Sequence, residues 1–96
     1  MALFYEVLVS YDIEDNKNRK KLFDELKDMG LNSIQKSVFW GNLKIAEIKI
    51  LPHLFEKYCT GYDKAFFVKA NLSKEILKNS FGYEKIDFEE KEFEYI

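Results

Sequence analysis

The sequence predicts an α+β fold: a ferredoxin-like (βαββαβ) sandwich with an extra C-terminal strand, assembled as a symmetric dimer. Short stretches rich in β-branched and aromatic residues alternate with segments that have helical spacing. The 96 residues are enough for one compact domain and too few for two with separate cores. Hydrophobic residues make up 47% of the chain and aromatic residues 17%, which is more than a disordered segment carries. We therefore assign residues 1–96 to a single domain.

The first predicted strand and helix occupy the first third of the chain. Leu3 to Tyr11 (LFYEVLVSY) is almost continuously apolar, as expected of a strand covered on at least one face. Asp15 or Asn16 offers a helix N-cap and Gly30 a C-cap. Apolar residues recur between them at spacings of three and four: Leu22, Phe23, Leu26 and Met29.

The middle of the chain predicts a second strand and a second helix. Leu31 to Trp40 alternates between two faces, which indicates one strand that ends at Gly41. Asn42 can cap a following helix that runs to Tyr58. Pro52 lacks a backbone donor and clashes with the preceding turn, so we expect either a kink near residues 48–51 or a break with a new turn at Pro52.

The end of the chain predicts a third strand, a short helix and a terminal strand. Ala65 to Ala70 is the strand, and Ser73 can cap a helix through Lys78. Tyr83 to Ile96 alternates in two pieces, around Ile86 and Phe88 and around Phe93 and Tyr95, which suggests two short strands joined by a bulge. We expect segment 83–96 to pair with the partner subunit, and the sheet face without helices to be covered by that subunit.

The charge pattern and the other reactive residues narrow the function. The net charge is −2, yet four basic residues crowd early in the chain and acidic residues crowd at its end. Cys59 is the only cysteine, so the chain cannot form an intramolecular disulfide. Together with His53, the only histidine, it is too little for the usual zinc site of four nitrogen and sulfur ligands. The N-terminal apolar run is too short to span a bilayer and has no signal-peptide features. We therefore expect a cytoplasmic protein without a membrane segment.

Asp12 is the best candidate for chemistry, because it follows the first strand at the rim of the sheet. A turn or cap carboxylate would occur there too. One carboxylate binds Mg²⁺ poorly, and a symmetric dimer that brings two copies of Asp12 together would supply the missing ligand. Arg19 leans toward the sheet, where its guanidinium suits a carboxylate or a phosphate. Three lysines point to solvent, either as an ordinary helix face or as phosphate contacts: Lys17, Lys20 and Lys21.

Two stretches resemble the CRISPR-associated Cas2 family: VSYDIEDNKNRKKL (9–22) and QKSVFWG (35–41). Five residues match positions of the family pattern: Tyr11, Asp12, Arg19, Ser37 and Phe39. Family members often carry an arginine before the second strand, where this chain has Asn32 and Ser33, and an acidic residue where it has Trp40. Trp40 therefore puts aromatic surface at a possible subunit or partner contact.

The resemblance implies a CRISPR adaptation (spacer acquisition) subunit. Such proteins form a homodimer that the Cas1 integrase grips at both ends, and the complex captures short double-stranded DNA for insertion into the CRISPR array. Some members are described as magnesium-dependent endonucleases on RNA or DNA. For this chain the resemblance implies Asp12 as the metal ligand and catalytic residue, supported by Tyr11, Arg19, Ser37 and Phe39. It also implies nucleic-acid contacts from four basic residues: Lys17, Arg19, Lys20 and Lys21.

We rank the DNA scaffold first and the nuclease second. The second hypothesis is a metal-dependent nuclease, which would belong either to this family or to the related toxin type called virulence-associated protein D. A third reading is a regulatory or interaction module on the same fold that binds no nucleic acid.

Overall fold

The computed structural model describes residues 3–69 and 71–89, which form a four-stranded antiparallel sheet with helices. The strands are β1 (Phe4–Asp12), β2 (Asn32–Gln35), β3 (Val38–Lys44) and β4 (Lys64–Lys69), in the order β2-β3-β1-β4. The helices are α1 (Asn16–Asp28), α2 (Ile45–Ile48), α3 (Leu51–Tyr58) and α4 (Leu72–Lys78), followed by a 3₁₀ helix at Lys85–Phe88. The predicted α+β, ferredoxin-like fold is confirmed.

Helix α1 begins and ends where its sequence predicts. The Asp15 carboxylate accepts a hydrogen bond from the backbone N–H of Asn18 at 2.8 Å, which makes Asp15 the N-cap. Gly30 adopts a left-handed φ of 93° just past the end of the helix, a conformation that glycine reaches without steric penalty. Its backbone N–H donates to the carbonyl of Lys27 at 2.9 Å.

The hydrophobic core lies between one face of the sheet and helices α1 and α3. Alternate residues of β1 point into it, because side chains of a strand alternate between its two faces. β1 contributes Val7, Val9 and Tyr11, and the helices contribute Leu22, Leu26, Leu51 and Leu54. Helices α1 and α3 of the chain pack on this face of the sheet.

The predicted single strand from Leu31 to Trp40 is instead a hairpin of β2 and β3. The chain reverses at Lys36 and Ser37, and the pairing shifts register between Ser33 and Gln35. Ser37 has a φ of 62°, which is uncommon for a residue other than glycine. The prediction was wrong because nothing at this turn carries the usual glycine or asparagine signal.

Strand β3 continues through Gly41 and Asn42, so Asn42 is not a helix cap. Gly41 lies inside the strand, where a Cβ atom would meet Cδ2 of Leu31 at 2.7 Å. Glycine therefore marks a close approach of β3 to Leu31 and not the end of a strand.

The predicted second helix is broken into two helices just before Pro52. α2 ends at Ile48 and α3 begins at Leu51, with Pro52 in its first turn. Proline fits this position because the backbone N–H groups of a first helical turn have no intrahelical acceptor.

The C-terminal part differs from its prediction in two ways. Helix α4 takes Asn71, not Ser73, as its N-cap residue. Lys85–Phe88, predicted as a strand piece, is a 3₁₀ helix that the Asp87 carboxylate closes by accepting from the N–H of Glu84 at 2.8 Å. The second predicted strand piece, at Phe93 and Tyr95, lies outside the described residues.

Residues 71–89 fold over part of the sheet face opposite the helices. The Trp40 ring packs edge-on against Phe88 with centroids 5.4 Å apart, and Trp40 is only 3% exposed. Trp40 is thus covered by its own chain, which corrects its expected place at a subunit or partner contact. On the same face, the paired strands β1 and β4 carry a row of side chains that we name the open strip: Leu8, Ser10, Asp12, Lys64, Phe66 and Val68.

No helix within residues 3–69 and 71–89 has the length and apolar character needed to cross a bilayer. The longest, α1, has 13 residues.

Candidate nucleic-acid interface

Tyr11 and Asp12 are adjacent in β1 but lie on opposite faces of the sheet. Asp12 is exposed at the end of the open strip and faces Lys64 across the β1–β4 pairing. Tyr11 is 5% exposed on the helical side, where its ring stacks on Phe39 with centroids 6.3 Å apart. The residues suggested by the family pattern therefore divide into two groups at one rim of the sheet.

Asp12 is exposed enough to bind a metal ion, but it is not part of a cluster of metal-ligating side chains within the described residues. Within the described parts of the chain, no three His, Cys, Asp or Glu side chains come together as a metal site. Mg²⁺ takes six oxygen ligands in near-octahedral geometry, commonly from one or two carboxylates with water and phosphate. One protomer alone therefore does not form a magnesium site.

Arg19 holds the loop that connects β1 to α1. Its guanidinium donates to the backbone carbonyl of Ile13 at 2.7 Å and to the side-chain oxygen of Asn16. A third, longer contact of 3.4 Å reaches the carbonyl of Glu14. The loop directly after Asp12 is thus fixed by Arg19, whose donors are largely used for that purpose.

A surface cleft of about 420 Å³ opens on the helical side of the same rim. We call it the rim cleft, and its lining residues are Tyr11, Asn16, Arg19, Lys20, Phe23, Lys36 and Ser37. Three of these are cationic and none is acidic, so the cleft carries a local positive charge on a chain whose net charge is −2. It suits an anionic group more than any neutral or cationic one.

The lysines near the rim differ in what they contact. Lys20 pairs with Asp24 at 3.0 Å, and both side chains are exposed. Lys17 and Lys21 are also exposed and lie outside the lining of the rim cleft. Lys36, which the sequence placed simply within a strand, comes into the cleft because the β2–β3 turn projects it there.

Tyr11, Ser37 and Phe39 form one packed unit at the base of the cleft. The backbone N–H of Tyr11 donates to the carbonyl of Ser37 at 3.1 Å. Burial raises the pKa of the Tyr11 phenol, and the Ser37 hydroxyl and the Arg19 charge partly offset that rise. Phe39 is fully buried and also packs edge-on against Phe23 at 5.1 Å. Its part in the site is therefore to support the cleft walls from the core.

A second loop is fastened beside the rim by Asp63, which sequence reasoning missed. The Asp63 carboxylate accepts hydrogen bonds from the backbone N–H groups of Glu14 at 3.0 Å and Thr60 at 2.9 Å. These hydrogen bonds lower the pKa of the Asp63 carboxyl. The turn before β4 and the loop after β1 are joined by this one side chain.

The chain is similar to known proteins of one family. The family model described as "CRISPR associated protein Cas2" matches residues 5–76. The chain is 42% identical over 90 residues to the "CRISPR-associated endoribonuclease Cas2 1" of Francisella tularensis subsp. novicida (strain U112), covering 94% of this chain and 93% of that protein. It is 40% identical over 55 residues to the "CRISPR-associated endoribonuclease Cas2 2" of Pyrobaculum aerophilum, covering 57% of this chain and 60% of that one.

The fold also has a counterpart among solved structures. A structure described as "Crystal structure of cas2" superposes with a TM-score of 0.62 at 24% sequence identity, covering 70% of this chain and 75% of the other. The family model matches well over half of the chain, and one relative matches nearly its full length. The chain belongs to the CRISPR-associated Cas2 family.

Proposed function

We propose that this chain is the dimeric scaffold of CRISPR adaptation, which binds duplex DNA together with the Cas1 integrase for insertion into the CRISPR array. The observation that supports the proposal most is the open strip, which has apolar side chains along it and Asp12 at its end. The strip lies on the sheet face opposite α1, and its Asp12 end is followed along the chain by α1, which begins at Asn16 and carries the basic residues.

The open strip suits a second copy of the chain. Phe66 is 54% exposed and Val68 40% exposed, although residues 71–89 cover the neighbouring part of the same sheet face. Burying apolar surface is favourable by about 25 cal/mol per Å² of area removed from water, so covering these side chains with a second protomer would stabilise a dimer. A two-fold axis through the strip makes the same patch serve both protomers and brings the two Asp12 side chains toward each other.

The basic residues of the rim suit duplex DNA. Lys17, Lys20 and Lys21 are exposed on the first half of α1, and Lys36 lies on the adjacent turn. A dimer doubles this set, while contacts to phosphate carry no sequence information. The proposal therefore includes affinity that falls steeply with salt and does not depend on base sequence.

The test is capture of a short DNA duplex with and without an integrase partner. Asp12→Ala should leave partner-dependent capture intact, whereas Arg19→Ala with Lys20→Ala should weaken it. A matched double variant, Lys44→Ala with Lys49→Ala, changes two exposed lysines toward the opposite end of the sheet and should behave as wild type. Circular dichroism of each variant checks folding, because Arg19 also holds a loop. Equal capture by all variants would contradict the scaffold role.

A magnesium-dependent endonuclease acting on RNA or DNA is the second candidate. It is favoured by the exposure of Asp12, whose carboxylate accepts no hydrogen bond from residues 3–69 and 71–89, and by the relatives that are named endoribonucleases. Since one protomer supplies a single carboxylate, the Mg²⁺ site would take Asp12 from each protomer, shared across the dimer. Cleavage that needs Mg²⁺ and is lost in Asp12→Asn would make the protein an enzyme; its absence in the wild type would exclude that role.

A further inference from the structure

We infer that the rim cleft binds one unpaired nucleotide, at the end of a strand or in a single-stranded overhang. The inference rests on the proposed function and adds a ligand class to it. Asp12 and the open strip play no part in it, because they lie on the other face of the sheet.

The walls of the rim cleft match the two halves of a nucleotide. Phe23, which is half-buried, gives it aromatic surface suited to a base, beside the small exposed edge of Tyr11, while Asn16 and Ser37 supply side-chain hydrogen-bonding groups. Its volume of about 420 Å³ falls within the range of small-molecule sites. No carboxylate is among its lining residues, and the nearby Asp24 carboxylate is paired with Lys20.

Lys36 is the cation best placed to contact that phosphate. Arg19 already donates to Ile13 and Asn16, and Lys20 is shared with Asp24. Among the residues that the structure describes, none forms an ion pair or a side-chain hydrogen bond with Lys36. An exposed ammonium with its hydrogen-bonding capacity free is the group that an incoming phosphate would meet first.

The turn that carries Lys36 has a fixed position. Ser37 holds its left-handed conformation while its carbonyl accepts from the N–H of Tyr11 at 3.1 Å. Such backbone outliers persist only where the surroundings enforce them, and they occur preferentially at functional sites. Here the constraint places Lys36 next to the aromatic wall.

The shape of the rim cleft selects an unpaired nucleotide. Inside a duplex, the faces of each base are covered by its neighbours in the stack. Only a base that has left the stack can reach aromatic side chains in a concave site, as proteins that recognise single strands require. Duplex DNA on the exposed lysines and an unpaired end in the rim cleft would then be two contacts of one substrate.

The experiment measures binding of four fluorescent DNA probes at several salt concentrations. The probes are a blunt duplex, the same duplex with a short single-stranded overhang, that overhang with abasic sites, and the free single strand. Wild type should prefer the normal overhang to both the blunt and the abasic duplex. Lys36→Ala should lower the affinity for both overhang duplexes toward that of the blunt duplex and reduce the slope of log affinity against log salt for the single strand by about 0.7, the value for one phosphate contact. Lys49→Ala, at the opposite end of the sheet, should match wild type.

The outcomes separate this inference from the proposed function. Equal wild-type affinity for the blunt and overhang duplexes, or equal effects of Lys36→Ala and Lys49→Ala, would overturn the nucleotide site while leaving duplex binding intact. Equal affinity for the normal and abasic overhangs would overturn the role of the aromatic wall and with it the inference. Failure of the wild type to bind any probe, alone or with the integrase, would contradict the proposed function itself.

Discussion

The carboxylate of Glu6 accepts a hydrogen bond from the indole N–H of Trp40 at 2.6 Å. The same oxygen accepts a second one from the backbone N–H of Ser73, also at 2.6 Å. Glu6 lies in β1, Trp40 in β3 and Ser73 in α4, so one side chain joins the sheet to the segment that follows it. These two hydrogen bonds hold α4 against the sheet, so that residues 71–89 cover the part of the face around Trp40 and leave the open strip uncovered.

Replacing Glu6 should loosen that joint. We expect Glu6→Ala to lower the free energy of unfolding by about 1.5–3 kcal/mol, because it removes hydrogen bonds to a charged acceptor and leaves the indole N–H of Trp40 unpaired. Glu6→Gln keeps an acceptor and should have a smaller effect. Urea unfolding followed by fluorescence measures it directly, since Trp40 is the only tryptophan of the chain. Glu56→Ala, on the exposed face of α3, is the control; an equal loss in both variants would contradict the role of Glu6.

Most of the fold could be predicted from the sequence, because it rests on local patterns. The continuous apolar run of β1 and the caps of α1 at Asp15 and Gly30 are signals within a few residues of one another. The β2–β3 hairpin could not be predicted, because its turn at Ser37 is held by the neighbouring strand and not by its own residue type. The 3₁₀ helix was predicted as a strand because an alternation of only four residues, from Lys85 to Phe88, also fits a single tight turn.

The site was predictable only where residues are adjacent in sequence. Successive side chains of a strand point to opposite faces of the sheet, so the assignment of β1 as a strand is enough to predict that Tyr11 and Asp12 lie on opposite faces. The contributions of Lys36 and Asp63 depend on loops whose approach to α1 and β1 is set by tertiary packing. Glu6 is the one charged residue in the almost continuously apolar segment from Leu3 to Tyr11, and its function as an acceptor required knowing that Trp40 lies beside it.

Ser37 offers a test of the constraint at the β2–β3 turn. Ser37→Gly should be neutral or raise the free energy of unfolding by up to about 1 kcal/mol, because glycine reaches a positive φ without the Cβ clash. Ser37→Val should lower it by more than about 1 kcal/mol, since a β-branched side chain is a poor fit to that conformation. Thermal unfolding of both variants, with Ser33→Gly and Ser33→Val on the same hairpin as controls, provides the comparison. Stability equal to wild type in Ser37→Val would show that the turn is not constrained.

Asp63 should make the rim sensitive to acid. Its pKa lies below the ordinary value of 3.8 in the folded protein, so its contribution to stability is present above that value and is lost as the pH falls through the folded pKa. Stability measured between neutral pH and about pH 2 should therefore drop more in wild type than in Asp63→Asn, which cannot lose a charge there. Asp28→Asn, an exposed residue at the end of α1, serves as the control. Parallel acid profiles for wild type and Asp63→Asn would contradict the role of the Asp63 hydrogen bonds.

The open strip leads to a prediction about assembly. Phe66 is 54% exposed in the middle of the strip, directly across the β1–β4 pairing from Ser10. In a symmetric dimer on this face, Phe66→Glu would bury two unpaired carboxylates close to the two-fold axis, which is strongly unfavourable. We expect sedimentation equilibrium to show a dimer for wild type and a monomer for Phe66→Glu. Phe81→Glu introduces the same charge at a side chain that is 99% exposed outside the strip, so it should stay dimeric. A dimer that persists in Phe66→Glu would place the subunit contact elsewhere on the chain and would leave the two Asp12 side chains without a reason to meet.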